Sequence, residues 1–212
     1  SSDFTMGTGD FTVECWVKFN DTSNNGGIFQ ISDQSGGVTT GGASTSICAF
    51  HHGSAWGIYG TGGEINRNYT RKEKQWYHVA YVRHSGVSTF YVDGVATLSR
   101  SDTGNYNGTY IAVGAFYSSS YPLEGQISNF RVVKGTAVYT SAFRPPTKPL
   151  DNITNTKLLC CNDSSVTGST VTPVTLNSQG NPTASTQTPF VDAASLKFGE
   201  NKDQGLIKCG SF

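Results

Sequence analysis

The stretch Trp76-Tyr-His-Val-Ala-Tyr-Val-Arg-His-Ser-Gly-Val-Ser-Thr-Phe-Tyr-Val-Asp-Gly94 constrains the fold more than any other part of the chain. Two β-rich runs, Trp76–Arg83 and Val87–Val92, flank a short polar connection containing Gly86, and the second run ends in Asp93-Gly94. Asp-Gly after such a run signals a type I′ turn, so this part of the chain reads as a β-meander. Along the first run Tyr77, Val79 and Tyr81 point one way, and His78, Ala80 and Val82 the other. Both faces are largely apolar, which places these strands inside a layered structure covered on two sides.

A chain of 212 residues is long enough for one large all-β domain plus an appended segment. Charged residues make up 14% and cancel to a net charge of zero, which leaves no global field to attract nucleic acid or an anionic membrane. With 25 glycines, ten tyrosines and abundant Ser, Thr and Asn, the composition is that of strands and turns. No apolar run reaches the roughly 18 residues of a membrane helix, so no membrane insertion is expected. The five cysteines, Cys15, Cys48, Cys160, Cys161 and Cys209, lack a C-x-x-C pair and the pattern of a zinc site. They read as buried thiols of a protein matured in a reducing compartment, with a disulfide framework as the alternative. Opening on Ser1-Ser2-Asp3, the chain reads as processed, or excerpted from something longer.

Before the meander, Phe11–Phe19 alternates cleanly, with Phe11, Val13, Cys15, Val17 and Phe19 on a core face. Thr12, Glu14, Trp16 and Lys18 face the other way, where Trp16 either packs under a loop or offers an aromatic platform. Ile28–Ser32 is a short strand, and Gly36–Ser46 a Gly/Thr/Ser loop of the kind that carries recognition. The strand Ser46–His51 leads into His51-His52; neighbours on a strand point to opposite faces and cannot easily share one ion, so ordinary polar contacts are expected for both. Glu64–Lys74, with Arg67, Arg71, Lys72 and Lys74, reads as a solvated connection.

After the meander, Ala96–Gly108 reads as a polar excursion, Thr109–Gly114 as a strand, and Ala115–Pro122 as a Tyr/Ser loop suited to recognition. Leu123–Val133 is the next strand and Gly135–Phe143 a bend. All seven prolines lie at or beyond Pro122, so strands pair without missing donors in the first part of the chain and the later part is more irregular. Thr156–Cys161 ends the sandwich, so the first domain is 1–161; 162–189 is a Ser/Thr/Pro-rich linker or surface-hugging segment, and 190–212 carries C-terminal strands.

The order of Gly9-Asp-Phe-Thr-Val-Glu-Cys-Trp-Val17, Trp76-Tyr-His-Val-Ala80, Phe90-Tyr-Val-Asp-Gly94, Ile111-Ala-Val-Gly114 and Leu123-Glu-Gly-Gln-Ile-Ser-Asn-Phe-Arg-Val132 resembles the laminin-G-like branch of the concanavalin A-like lectin/glucanase superfamily. That resemblance implies an all-β, antiparallel jelly-roll β-sandwich with an extended C-terminal segment. Phe130-Arg-Val-Val-Lys-Gly-Thr-Ala-Val-Tyr139, Pro145-Pro146, Asn155-Thr-Lys-Leu-Leu-Cys160, Phe198-Gly-Glu-Asn-Lys-Asp-Gln204 and Ile207-Lys-Cys-Gly-Ser211 are similar to phrases in virion proteins of marine phages, especially those infecting cyanobacteria. This narrower likeness implies a non-enzymatic structural or adhesion module of a phage virion appendage or decoration, located on the particle and assembled in the host cytoplasm. Its partners would be its own copies, a trimer among the options, or other virion proteins, together with host-surface carbohydrate. The alternatives are a purely structural self-assembling module and, more weakly, a glycan-active enzyme.

Two departures bear on what the family implies. Glycoside hydrolases on this fold place paired carboxylates on one strand, whereas Glu14 and Glu124 each stand alone, so no catalytic residue is assigned. Related domains bind Ca²⁺ through an Asp where this chain has Ser128, so no cofactor or metal ligand is assigned and a structural Ca²⁺ is the alternative. Family members also begin with a strand like Ser-Leu-x-Phe-Asp-Gly that is absent before Ser1 here, and Ser195-Leu-Lys-Phe-Gly199 resembles it. Residues 194–209 are therefore expected to fill that slot, in their own sandwich or a neighbour's, or else to start a further module. Carbohydrate contacts are expected from Trp56, Tyr59, Tyr69, Tyr117 and Tyr121, whose rings can stack on sugar C–H faces, and from Asp33, Asn66 and Asn68 as hydroxyl partners.

Overall fold

A computed structural model describes residues 1–33, 46–116 and 121–190, and the backbone of 195–198 and 206–209. After a single 3₁₀ turn at Ser2–Phe4, the strands in chain order are β1 (Phe11–Phe19), β2 (Gly26–Ser32), β3 (Ile47–His52), β4 (Ala55–Gly60), β5 (Gly63–Asn68) and β6 (Trp76–His84). There follow β7 (Val87–Val92), β8 (Val95–Ser101), β9 (Tyr110–Val113), β10 (Ala115–Phe116), β11 (Tyr121–Pro122) and β12 (Gly125–Lys134). The last are β13 (Thr156–Cys160), β14 (Ser169–Val171), β15 (Leu176–Gln179), β16 (Thr183–Ser185), β17 (Ser195–Phe198) and β18 (Leu206–Cys209).

Among these residues two antiparallel sheets face one another. The first runs β14-β13-β12-β1-β6-β7-β8, with β17 on β12 beyond the end of β13 and β16 on β17; the second runs β15-β18-β9-β2-β3-β4-β5. The core between them holds Phe11, Val13, Cys15, Val17 and Phe19 of β1 with Tyr77, Val79 and Tyr81 of β6, as their alternation requires. The second face of β6 is equally dry. Ala80 and Val82, with Tyr91, pack under Ala137, Tyr139 and Phe143 of the segment read as a bend. Both turns of the meander have two consecutive positive φ values, Ser85 and Gly86, then Asp93 and Gly94. Gly94 is needed for a second reason: a Cβ there would overlap the backbone of Phe143, which donates its N–H to Gly94 at 3.0 Å.

Several expectations change once the chain is folded. Ala96–Gly108 is not merely an excursion: it contains most of β8, and Asp102 and Tyr106 are buried around Arg83, which donates to the carbonyls of Gly7, Gly9 and Gly104. An arginine at 1% exposure draws these loops together because all its donors need acceptors. The Glu64–Lys74 connection contains most of β5, and Arg71 within it is buried, donating to Ala55 O and Gly53 O and lying over the rings of Phe19 and Trp56. Residues 162–189 contribute β14, β15 and β16 to the two sheets. The four described cysteines are buried free thiols; the Gly36–Ser46 loop, apart from Ser46, lies outside the described residues.

His51 and His52 do point to opposite faces, His51 buried and His52 exposed. Instead of polar contacts, however, the His51 ring packs edge-on against Phe19, with centroids 4.7 Å apart. Burial, then the nearby Arg71 charge, pulls its pKa down to about 3. The unfolded chain takes up that proton near pH ~6.5, so between the two values it binds more protons than the fold does. Stability is therefore expected to fall as pH drops through this window, with a slope approaching about 1.4 kcal/mol per pH unit from this group. Urea unfolding from pH 7 to pH ~4 measures the slope, and His51→Phe should flatten it.

Candidate functional site

The two sheets differ in what covers their outer faces. On the first sheet the chain covers itself: Tyr139 and Phe143 lie over β6 and β7, and Trp16 sits between His78 and Phe190, 5.3 and 5.8 Å between centroids. Trp16 thus packs under a loop. Beneath this cover is a buried ionic cluster. Glu14 accepts from Arg131 Nε (3.0 Å) and Nη2 (2.6 Å) through Oε1, and from the Tyr139 hydroxyl (2.8 Å) through Oε2, which also lies 3.1 Å from His78 Nε2. Burial pushes the Glu14 carboxyl up, but the His78 hydrogen bond and the Arg131 charge outweigh it and hold the group below the usual carboxylate range. A glycosidase acid needs the opposite shift and access to substrate.

The second sheet carries an aromatic outer face. Its register sets out three cross-strand rows: Gln30, Cys48, Tyr59 and Glu64; then Gly27, Phe50, Gly57 and Asn66; then His52, Ala55 and Asn68. The middle row explains the rest. A Cβ on Gly57 would overlap the Phe50 ring, and one on Gly27 would overlap the backbone of Ala115 and Phe116. The glycines therefore let Phe50 lie flat across β4 and let the β10–β11 hairpin fold over β2. Phe50 stacks on Phe116 (5.1 Å between centroids, 25° between planes), and Phe116 on Tyr121 (4.8 Å, 20°). Tyr59 packs against the same cluster, Tyr121 is 38% exposed, and at the margin Asn66 Nδ2 donates to Glu64 Oε1 at 2.7 Å.

Of the residues proposed from sequence, the structure brings Tyr59, Tyr121, Asn66 and Asn68 to this face, with Asp33 exposed just past the end of β2. Trp56 is a correction. It alternates with Tyr59's face and is fully buried against Phe19, Tyr77 and Phe90. Tyr69 is half-buried over Trp56, 6.3 Å between centroids, and belongs to the rim of the core. Tyr117 lies outside the described residues. Phe50 and Phe116 were missed. Alternation of Cys48, Phe50 and His52 against Ile47, Ala49 and His51 is the signal that could have found Phe50, whereas nothing local identifies Phe116, which reaches the stack through a hairpin.

At the position of the missing calcium ligand, Ser128 Oγ accepts from Asn129 Nδ2 (2.9 Å), and Asn129 Oδ1 accepts from Leu150 N (2.8 Å). Both side chains are fully buried and committed within the protein. Among the described residues no group of three His, Cys, Asp or Glu side chains could hold a metal, and no helix is long and apolar enough to cross a membrane.

No curated protein sequence matches the chain. Among solved structures, a candidate carbohydrate-binding protein from Bacteroides ovatus superposes with a TM-score of 0.49 at 17% identity, over 63% of this chain and 39% of the other. Domain 4 of an extracellular arabinanase from Geobacillus stearothermophilus, solved with arabinotriose, gives 0.47 at 17% identity over 62% and 64%. A fragment of the mouse laminin alpha1 chain gives 0.43 at 14% identity over 68% and 43%. The chain spans less than two thirds of each of these three. A family model matches residues 1–138, most of both sheets, and with it the chain belongs to the concanavalin A-like lectin/glucanases superfamily.

Proposed function

We propose that this chain is a non-enzymatic adhesion module of a phage virion appendage or decoration, and that it meets host-surface carbohydrate with the outer face of its second sheet. The observation that carries the reading is the Phe50–Phe116–Tyr121 stack beside Tyr59, open at Tyr121 and edged by Asn66, Glu64 and Asn68. An aromatic plane bordered by amide and carboxylate groups is what a sugar needs: a surface for its C–H face and partners for its hydroxyls. On the first sheet Tyr139 and Phe143 of the same chain lie over the apolar outer face of β6 and β7. A non-enzymatic role is supported by the state of Glu14, ionised and sealed beneath Tyr139. The virion setting is supported by the phage-like phrases around Phe130–Tyr139 and Phe198–Gln204, and buried free thiols suit assembly in a reducing cytoplasm.

A glycan array on the intact chain tests the reading. Binding is expected, and Tyr121→Ala should weaken it by about 0.5–1.5 kcal/mol, about twofold to tenfold, with little change in melting temperature because the ring is exposed. An empty array, together with a solution mass that is a multiple of 22.6 kDa, would replace adhesion with a purely structural, self-assembling role.

A further inference from the structure

Tyr139 and Phe143 cover the outer face of the first sheet only in part. Along β6 and β7 the cross-strand pairs Ala80–Tyr91, Val82–Thr89 and His84–Val87 share that face. The last two pairs, with Tyr91, Tyr139 and Thr140, line a notch of about 230 Å³ at the edge of the cover. Its inner part is apolar: Val82 is 1% exposed and Tyr91 4%. The Tyr139 ring lies flat on Phe143, 3.6 Å between centroids, and its hydroxyl is given to Glu14. Toward solvent the lining becomes polar. Thr89 Oγ1 shares a hydrogen bond with Ser99 Oγ at 3.2 Å, and Ser85 and Thr140 are exposed. His84 Nδ1 lies 3.2 Å from Asp10 Oδ2. The carboxylate only accepts, so the shared hydrogen sits on Nδ1, and Nε2 of the neutral ring is an acceptor.

We propose that this notch binds a 6-deoxyhexose, a neutral sugar ring that carries one methyl group and free hydroxyls. Its volume suits a single sugar ring and lies below the roughly 300–1,000 Å³ of sites for larger organic ligands. None of the described lining residues is Asp, Glu, Lys or Arg, and the neighbouring Asp10 already holds His84 and the Ser85 N–H, the latter at 2.9 Å. A neutral occupant fits such a lining, because a charged one would lose water without gaining a counter-charge. The two halves of the lining then set what the occupant presents. Val82 and Val87 offer no hydrogen bond, so a methyl group is stabilised against them, whereas a hydroxyl in its place is left without a partner. The His84 Nε2 and the Thr89 and Ser85 hydroxyls need donors and acceptors, which ring hydroxyls supply and a hydrocarbon chain does not. The notch is on the opposite sheet from the Tyr121 stack, so the inference goes beyond the platform and does not depend on it.

The test is an NMR chemical-shift titration of the full chain with two pairs of methyl glycosides, L-fucoside against L-galactoside and L-rhamnoside against L-mannoside. Within each pair the sugars differ only in the hydroxyl on the exocyclic carbon. At least one 6-deoxy glycoside is expected to bind about tenfold tighter than its hydroxylated counterpart. Val87→Ser, which gives that hydroxyl a partner, should bring the pair within about threefold, and His84→Ala should weaken both members by about threefold while preserving their ratio. Val87 and His84 are both exposed, so both variants are expected to fold, with the melting temperature as the check. Tyr121→Ala should leave this binding intact, which separates failure of the notch from failure of the platform. The proposal is overturned if neither pair shows the preference or nothing binds, or if N-acetylglucosamine binds as tightly as the better 6-deoxy glycoside. It is equally overturned if Val87→Ser leaves the preference unchanged, if His84→Ala leaves the affinity unchanged, or if Tyr121→Ala abolishes binding.

Discussion

Glu14→Gln is expected to cost about 3–5 kcal/mol of stability, a drop in melting temperature on the order of 10 °C for a domain of this size. The carboxylate is the partner of Arg131 in a cluster covered by Tyr139 and Phe190, and Arg131, at 5% exposure, also donates to the Asp151 carbonyl. A neutral amide leaves the guanidinium buried without its counter-charge. The Gln nitrogen cannot face the Arg131 donors, so the amide must turn it toward the Tyr139 hydroxyl, which then has to accept where it now donates. Arg131→Met alone should cost a similar amount, and the double variant should recover much of the loss, because removing both charges removes the penalty of burying one. Denaturant unfolding of the four chains gives the coupling directly. A single-variant loss below about 1 kcal/mol would show that the cluster behaves like a surface pair. The lowered pKa of Glu14 adds a sign: its contribution is full above the unfolded carboxylate range and is lost as pH falls through the folded value, in the same direction as the effect of His51.

Truncation after residue 189 is expected to be at least as costly. It removes β17, paired to β12 at Gly125–Ile127, and β18, paired to β9 at Ile111–Val113, which is three residue pairs on each sheet. At roughly one hydrogen bond per pair and about 1 kcal/mol each, the loss is about 6 kcal/mol before side chains are counted. The strands β15 and β16 lose the strand each pairs with, and Trp16 loses the Phe190 ring that covers it. Two open edges also invite pairing between copies, so residual protein should be larger than 22.6 kDa by size-exclusion mass. We propose on this basis that residues 190–212 are part of this sandwich. An unchanged melting temperature and mass after truncation would instead make them the beginning of a separate module.

Much of the fold was legible in the sequence because strand alternation is a local code. Phe11–Phe19 and Trp76–His84 show which residues face the core, and Asp93-Gly94 shows where the chain turns back, since each depends only on the two-residue period or on left-handed backbone geometry. The errors have a common physical origin. Arg71, Asp102 and Trp56 were read by residue type, as solvated charges or an exposed ring, yet burial of a polar or aromatic group depends on whether distant segments can satisfy or cover it. Arg71 is buried because the carbonyls of Ala55 and Gly53 turn toward it, and Asp102 because Tyr106 and Ser88 do.

The candidate site was half legible for the same reason. The sequence by itself determined the all-β class and proposed Tyr59, Asn66 and Asn68 by residue type, but that they share a face follows from the pairing of β4 with β5, in a segment read as a solvated connection. Only the tertiary structure decided that Tyr121 joins them through Phe116, that Tyr139 closes over Glu14, and that Tyr139 and Thr140 meet β6 and β7 around one notch. These are encounters between segments far apart in the chain. No local period encodes them; register and sheet order do.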